Sequence, residues 1–161
     1  QNQKNDYNII VMITKMKSLQ QTTHKGGQKM DVKDLMLEKG VKPSVTRLAI
    51  YDYLYNHRTH PTVDEIYEAL SPEIPTLSKT TVYNTVNLLA NSGIIKSISI
   101  EGFRTRYDAN NNFHAHFLCT KCNNVYDIFD LECPKCPLDG FTVSSEDIFY
   151  TGSCKACSDR K

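Results

Sequence analysis

No stretch of this 161-residue chain comes near the roughly 18 consecutive apolar residues of a membrane span. The apolar run NIIVMI at 8–13 is too short, and too poorly followed by a cleavage site, for a secretory leader. The expectation is therefore a soluble, cytoplasmic protein. Excess charge is also lacking: 19 Lys and Arg against 18 Asp and Glu leave a net charge of +1, so affinity for a polyanion has to come from local placement. Residues 1–29 are the exception, with five lysines and the single acid Asp6. Cysteine is missing from the first 118 residues, and all six cysteines follow Gly102. In a reducing compartment such a cluster favours metal thiolates over disulfides. No internal repeat is present apart from recurrence of the CxxC spacing. The length admits one ordinary domain or two small ones, and domains of under about 80 residues need help beyond a hydrophobic core.

Three zones separate by composition. Residues 1–29 are polar, rich in Gln and Lys, and read as a flexible basic extension with one short helix through 9–19; Met30 offers an alternative start. From Asp31 the apolar period becomes helical, through Val32, Leu35 and Met36 to Lys39, and Gly40 suits the C-cap. A second helix follows Pro43-Ser44, with Val45, Leu48, Ile50, Tyr51 and Leu54 facing inward. Thr62 is the N-cap of a third, with Glu65 at the reciprocal capping-box position. Ser78 caps a fourth, KTTVYNTVNLLANSG, with Val82, Val86 and Leu89 on one face and Gly93 ending it. IIKSISI and RTRYDA then read as two strands around a tight turn. Helices followed by such a hairpin make a winged helix over 30–108, the fourth helix being the reader. Its first residues, Ser78, Lys79, Thr80, Thr81, Tyr83 and Asn84, are small or polar, as groove entry and phosphate contact require. A solvated helix face would look the same; the hairpin after it favours DNA.

The third zone, 109–161, is rich in strand patterns: HFLCTKC, NVYDIFD and GFTVSSEDIFYTGSC. The last delivers Cys154 and Cys157 back to Cys119 and Cys122. Two CxxC knuckles, 31 residues apart, complete a tetrahedral thiolate shell for a structural Zn²⁺ with no open position. Cys133-Pro-Lys-Cys136 has the same spacing and no matching pair; it could compete for zinc, hold a further metal or close a reversible disulfide. His114 and His116 point to one side of a strand. An HxH pair is more often surface than ligand, but His60, Asp108 and Asp127 supply a supporting cast, and three His with two Asp suit Fe²⁺, Mn²⁺ or Zn²⁺ more than a thiolate-loving metal. Sequence pattern alone does not bring these five together.

KPSVTRLAIYDYL, HPTVDEIYEAL, LSKTTVYNTVNLLANSGII, RTRYD, HAHFLCTKC and GSCKAC occur in the order and spacing of the ferric uptake regulator (Fur) family, and residues 30–161 resemble it throughout. The resemblance implies an α+β fold: an N-terminal winged-helix DNA-binding domain and a small α/β zinc-containing dimerisation domain, forming a homodimer on double-stranded palindromic operator DNA. It matches Cys119, Cys122, Cys154 and Cys157 to structural zinc ligands. His60, Asp108, His114, His116 and Asp127 match the regulatory site joining the two domains, and Arg47 and Tyr83 lie in motifs associated with DNA contact. Asp127, where iron-sensing members usually have Glu, resembles the peroxide-sensing (PerR) branch, in which His60 and His114 match the histidines oxidised. Two features depart from the family. Phe113, Ala115 and Glu146 stand at the positions of a second metal site, and the segment between Asp127 and Gly140 is shorter than the family's helix-bearing one. The expected function is a metal-dependent repressor sensing peroxide through Fe²⁺ or Mn²⁺. Its rivals are an iron or zinc sensor without peroxide chemistry, and a zinc-stabilised interaction module without DNA binding. A hydrolase built on the His/Asp cluster would lack a nucleophile or base and leave the winged helix unexplained.

Overall fold

The computed structural model describes residues 22–23, 29–99, 102–129, 131, 138–143 and 146–159. The helix expected through 9–19 and the Cys133–Cys136 pair lie outside the described residues. The chain divides into two units, with the boundary between Asn111 and Asn112.

The first unit opens on a two-residue antiparallel ladder, β1 (Thr22–Thr23) with β2 (Lys29–Met30), in a segment whose composition predicts no strand. Four helices follow, each started by a side-chain cap. In α1 (Val32–Glu38) Asp31 accepts from the Lys33 N–H, and Gly40, at φ +72°, lets the chain turn out of the helix with the Val41 N–H donating to the Met36 carbonyl. Helix α2 (Val45–Asn56) is capped by Ser44. Helix α3 (Val63–Leu70) has the full capping box, Thr62 and Glu65 each bonding the other's backbone. Ser78 accepts from the Thr81 N–H at the start of α4 (Lys79–Asn91).

Inward faces meet in one apolar core. Leu48, Ile50, Tyr51 and Leu54 of α2, Ile66 of α3 and Val82, Val86 and Leu89 of α4 are buried in it, with Val32, Leu35 and Met36 of α1. Val45 is a correction to the sequence pattern: it is 45% exposed, because as the first residue of α2 it lies on the solvent side of the opening turn. Strands β3 (Lys96–Ile98) and β4 (Arg106–Asp108) close the unit as an antiparallel hairpin, with Lys96 opposite Asp108 and Ile98 opposite Arg106. Asp64, at the start of α3, pairs with Lys79 of α4 (2.5 Å) and with Arg104 of the hairpin loop (2.7 Å). Both partners are exposed, so these pairs orient more than they stabilise.

The second unit is a three-stranded sheet in the order β6-β5-β7. Strand β5 (Ala115–Cys119) pairs antiparallel with β6 (Val125–Ile128) and parallel with β7 (Phe149–Gly152), and a single turn of helix, α5 (Lys155–Ser158), follows. Among the described residues none forms a helix long and apolar enough to cross a membrane.

Leu89 is fully buried on α4, whereas Leu37 is 60% exposed on α1. Leu89→Ala is expected to cost about 2–5 kcal/mol by leaving a cavity, and Leu37→Ala within about 0.5 kcal/mol of nothing; denaturant unfolding followed by helical circular dichroism compares them.

Candidate metal centres

The first centre is built from the turn between β5 and β6. Cys119 ends β5, its N–H donates to the Asn124 carbonyl, and the Asn123 N–H donates back to the Cys119 carbonyl, with Asn123 at φ +59°. This tight return points the Cys119 and Cys122 sulfurs to one side. The parallel strand β7 brings the second knuckle: the Thr120 N–H donates to the Gly152 carbonyl, and two residues on, the Cys154 N–H donates to the Cys119 Sγ at 3.3 Å. One atom from each of Cys119, Cys122, Cys154 and Cys157 lies within 4.8 Å of the others. The Cys122 and Cys154 sulfurs are 3.9 Å apart, close to the roughly 3.8 Å edge of a tetrahedron with 2.3 Å zinc–sulfur bonds.

The four thiols perturb one another's protonation. The Cys154 backbone N–H, first among the causes, pulls the Cys119 thiol down to about 6, while the Cys157 thiol, hydrogen-bonded to Cys154, is pushed up to about 12. Four sulfurs this close do not all ionise unless a positive charge sits among them. The donor set and spacing fit zinc with all four positions filled by protein.

Each unit also holds buried histidine beside aspartate. In the sheet unit, strand register makes the half-site. His116 of β5 lies directly opposite Asp127 of β6, and His114, two residues before it, faces the same side. Asp127 Oδ1 is 3.3 Å from His114 Nε2 and 3.9 Å from His116 Nε2. The His114 Nδ1–H donates to the Asn112 carbonyl at 2.8 Å, which leaves Nε2 as the basic nitrogen turned toward Asp127. Aromatic rings hold both imidazoles: His114 lies against Phe129 and stacks edge-on to His116, which stacks on Phe149. Both histidines are buried.

In the helical unit, His60 precedes Pro61 at the entry to α3, and Asp108 ends β4; both are buried, with ligand atoms within 4.8 Å of each other. Asp108 Oδ1 accepts from the Asn110 N–H. His60 adopts φ +50°, an uncommon conformation for a non-glycine residue.

The remaining sequence candidates fall as follows. Ser78, Lys79, Thr80, Thr81, Tyr83 and Asn84 are all exposed on the first turns of α4. Arg47 is half-buried on α2, with Nη1 donating to the Lys42 carbonyl. Phe113 and Glu146 are exposed, and Ala115 is buried. Sequence reasoning read Glu65 as a cap and missed the other supports: Arg106, Asp64, Phe129 and Phe149. Of these Arg106 carried a signal, standing two residues before Asp108 and so on the same side of a strand.

A four-thiol centre, histidine and aspartate ligands in each unit and a helical unit with a hairpin fit a metal-binding regulator class more readily than a catalyst. The model of the ferric uptake regulator family matches residues 38–138, and the chain belongs to that family, whose members are transcriptional regulators and not enzymes. The peroxide-responsive repressor PerR of Staphylococcus aureus is 34% identical over 128 residues, 76% of this chain and 86% of its own length. Among solved structures, the Campylobacter jejuni peroxide stress regulator is 27% identical with a TM-score of 0.58, over 78% of this chain and 96% of that one. The ferric uptake regulator of Pseudomonas aeruginosa, solved with manganese, shares the fold at 20% identity and a TM-score of 0.65, over 78% and 99%. The chain thus has the mixed helix and sheet fold of the family, with candidate sites for metals of the kinds its relatives hold.

Cys119→Ser or Cys154→Ser is expected to lower bound zinc from one ion per chain to none and to unfold the sheet unit, while His114→Ala keeps full zinc. Elemental analysis with circular dichroism checks both, and zinc retained by the cysteine variants would exclude the four-thiolate shell.

Proposed function

We propose that this chain is a metal-dependent, DNA-binding transcriptional repressor that senses peroxide, with a permanent Zn²⁺ at Cys119, Cys122, Cys154 and Cys157. His60, Asp108, His114, His116 and Asp127 together form one exchangeable site for Fe²⁺ or Mn²⁺. The observation that carries the reading is the segregation of donors among the described residues: their four cysteines belong to one cluster, and the histidines and aspartates, facing one another within each unit, carry only nitrogen and oxygen. Such donors suit ferrous or manganous ions, whereas four thiolates suit zinc.

The helical unit is read as a winged helix, with α4 as the reader and β3–β4 as the wing. Exposure of Ser78, Lys79, Thr80, Thr81, Tyr83 and Asn84 supports this, since groove contact needs these side chains free of the core. Arg47 is assigned a phosphate contact from the family motif. The sheet unit is read as the dimerisation domain: β7 is an edge strand among the described residues and exposes Phe149 and Tyr150, an apolar rim suited to a second copy. Two readers in a homodimer would then meet operator half-sites about one helical turn, or a multiple of it, apart.

The regulatory ion works only through its greater affinity for the DNA-competent arrangement of the two units. When iron is bound, it supplies the electrons that reduce peroxide beside the imidazoles. The residues that would be oxidised are His60 and His114, and loss of either imidazole removes a ligand from its half-site, weakening metal retention and releasing the operator. Asp127 in place of Glu and the 34% identity to a peroxide-responsive repressor support the peroxide branch.

Operator binding is expected to tighten by at least about tenfold, roughly 1.4 kcal/mol of coupling, on adding Mn²⁺ to the wild type and not to His60→Ala. Equal affinity in all four combinations would sink the metal switch. After peroxide treatment of the anaerobic Fe²⁺ form, mass spectrometry is expected to find one added oxygen on His60 or His114; an unmodified chain that still releases no operator would leave an iron or zinc sensor without peroxide chemistry.

A further inference from the structure

We propose that Arg106 is the positioning residue for His60, holding that imidazole in the orientation its metal requires; the inference rests on His60 being a ligand. Alternation along β4 sends Tyr107 into the core and turns Arg106 and Asp108 to the other face. There the strand grips the segment before α3 at consecutive residues. Arg106 Nη1 donates to the His60 carbonyl at 2.8 Å, and the Tyr107 N–H donates to the Pro61 carbonyl at 3.1 Å. The same Arg106 nitrogen lies 3.4 Å from Glu65 Oε2, the oxygen that accepts from the Thr62 N–H at 2.6 Å. His60, Pro61 and Thr62 are therefore pinned by one arginine, one strand amide and one capping carboxylate.

His60 needs that pinning. A left-handed backbone is unfavourable for a non-glycine residue, and a following proline biases the same residue toward an extended conformation. A strained conformation persists only where its surroundings over-determine it. The Arg106 bond acts directly on the strained residue, at its carbonyl. Without it the His60 backbone loses the restraint at its own carbonyl, and the imidazole is expected to shift relative to Asp108. Lysine is a poor substitute: its ammonium is a single point of charge, whereas the planar guanidinium reaches carbonyl and carboxylate together. The Arg106 side chain is only 16% exposed, so water replaces it badly.

The test measures Mn²⁺ affinity of the zinc-loaded full-length protein by electron paramagnetic resonance titration. Wild type is compared with Arg106→Ala, Arg106→Lys and His60→Ala; zinc content and unfolding temperature of the manganese-free form are recorded for each. Loss of an orienting partner typically weakens metal binding about 10–100-fold; that loss is expected for Arg106→Ala, and a several-fold loss for Arg106→Lys, with zinc still at one ion per chain. Wild-type Mn²⁺ affinity in both arginine variants overturns the proposal, including the case in which only the unfolding temperature falls. Should Arg106→Ala fail to fold, Arg106→Lys decides alone by the same criterion. Wild-type affinity in His60→Ala instead overturns the assignment of His60 as a ligand, a failure separable from that of Arg106.

Discussion

The tight return that joins β5 to β6, closed by Cys119 and Cys122, sets the geometry of nearly everything after Asn111. A hairpin's turn fixes its register, and a slip of one residue would send every side chain to the opposite face. With the chain reversing between Cys119 and Asn124, Leu118 pairs with Val125 and His116 falls opposite Asp127. The knuckle that holds sulfur thus also decides which carboxylate meets which imidazole. Parallel pairing with β7 depends on the same anchor, because Cys119 lies opposite Gly152 and the second knuckle begins two residues later.

That anchor has to be strong because the sheet unit has little else. Its buried apolar side chains among the described residues are Ala115, Leu118, Cys119 and Val125, while the helical unit gathers the residues of four helices into one core. A structural zinc in a small domain contributes on the order of 10–16 kcal/mol near neutral pH, more than the few leucine-sized side chains here supply at roughly 1.5–3 kcal/mol each. The helical unit draws its stability from packing and caps, and the sheet unit, with zinc bound as proposed, would draw its own from ligation. Removal of that zinc would dissolve one unit and spare the core of the other.

Much of the helical unit is legible in the chain because its signals are local. Ser44, Thr62 and Ser78 each cap the helix that their position announces, and the apolar period of α4 turns Val82, Val86 and Leu89 inward. The period misleads at Val45, a first-turn residue that is exposed, and at Lys39, which is exposed at the C-cap of α1. Ligands are legible as residue types in motifs, but their grouping is not. His116 and Asp127 meet through register, and Cys119 and Cys154 through a parallel pairing of strands that are distant in the chain. Both are tertiary facts with no short-range signature. The supporting residues are less legible still. Arg106 acts through a backbone carbonyl 46 residues away, and any sequence has carbonyls everywhere.

Strand parity would let one short segment serve the two proposed metals of opposite preference. Along residues 114–119 the even positions His114 and His116 face one side of the sheet, whereas Cys119 is odd and closes the strand on the other. Thiolate binds zinc far better than it tolerates ferrous iron beside an oxidant, because sulfur is itself oxidised. An imidazole and a thiolate on the same face would compete for one ion, and the result would be a mixed site that is neither inert nor exchangeable. On the proposed assignment, placing them on opposite faces would keep the sulfurs saturated by a metal without redox chemistry and leave the nitrogens for an exchangeable ion. The pleat would then transmit order in one direction: a closed zinc shell would fix the backbone to which the histidines are attached, and exchange at the histidines would not disturb the shell.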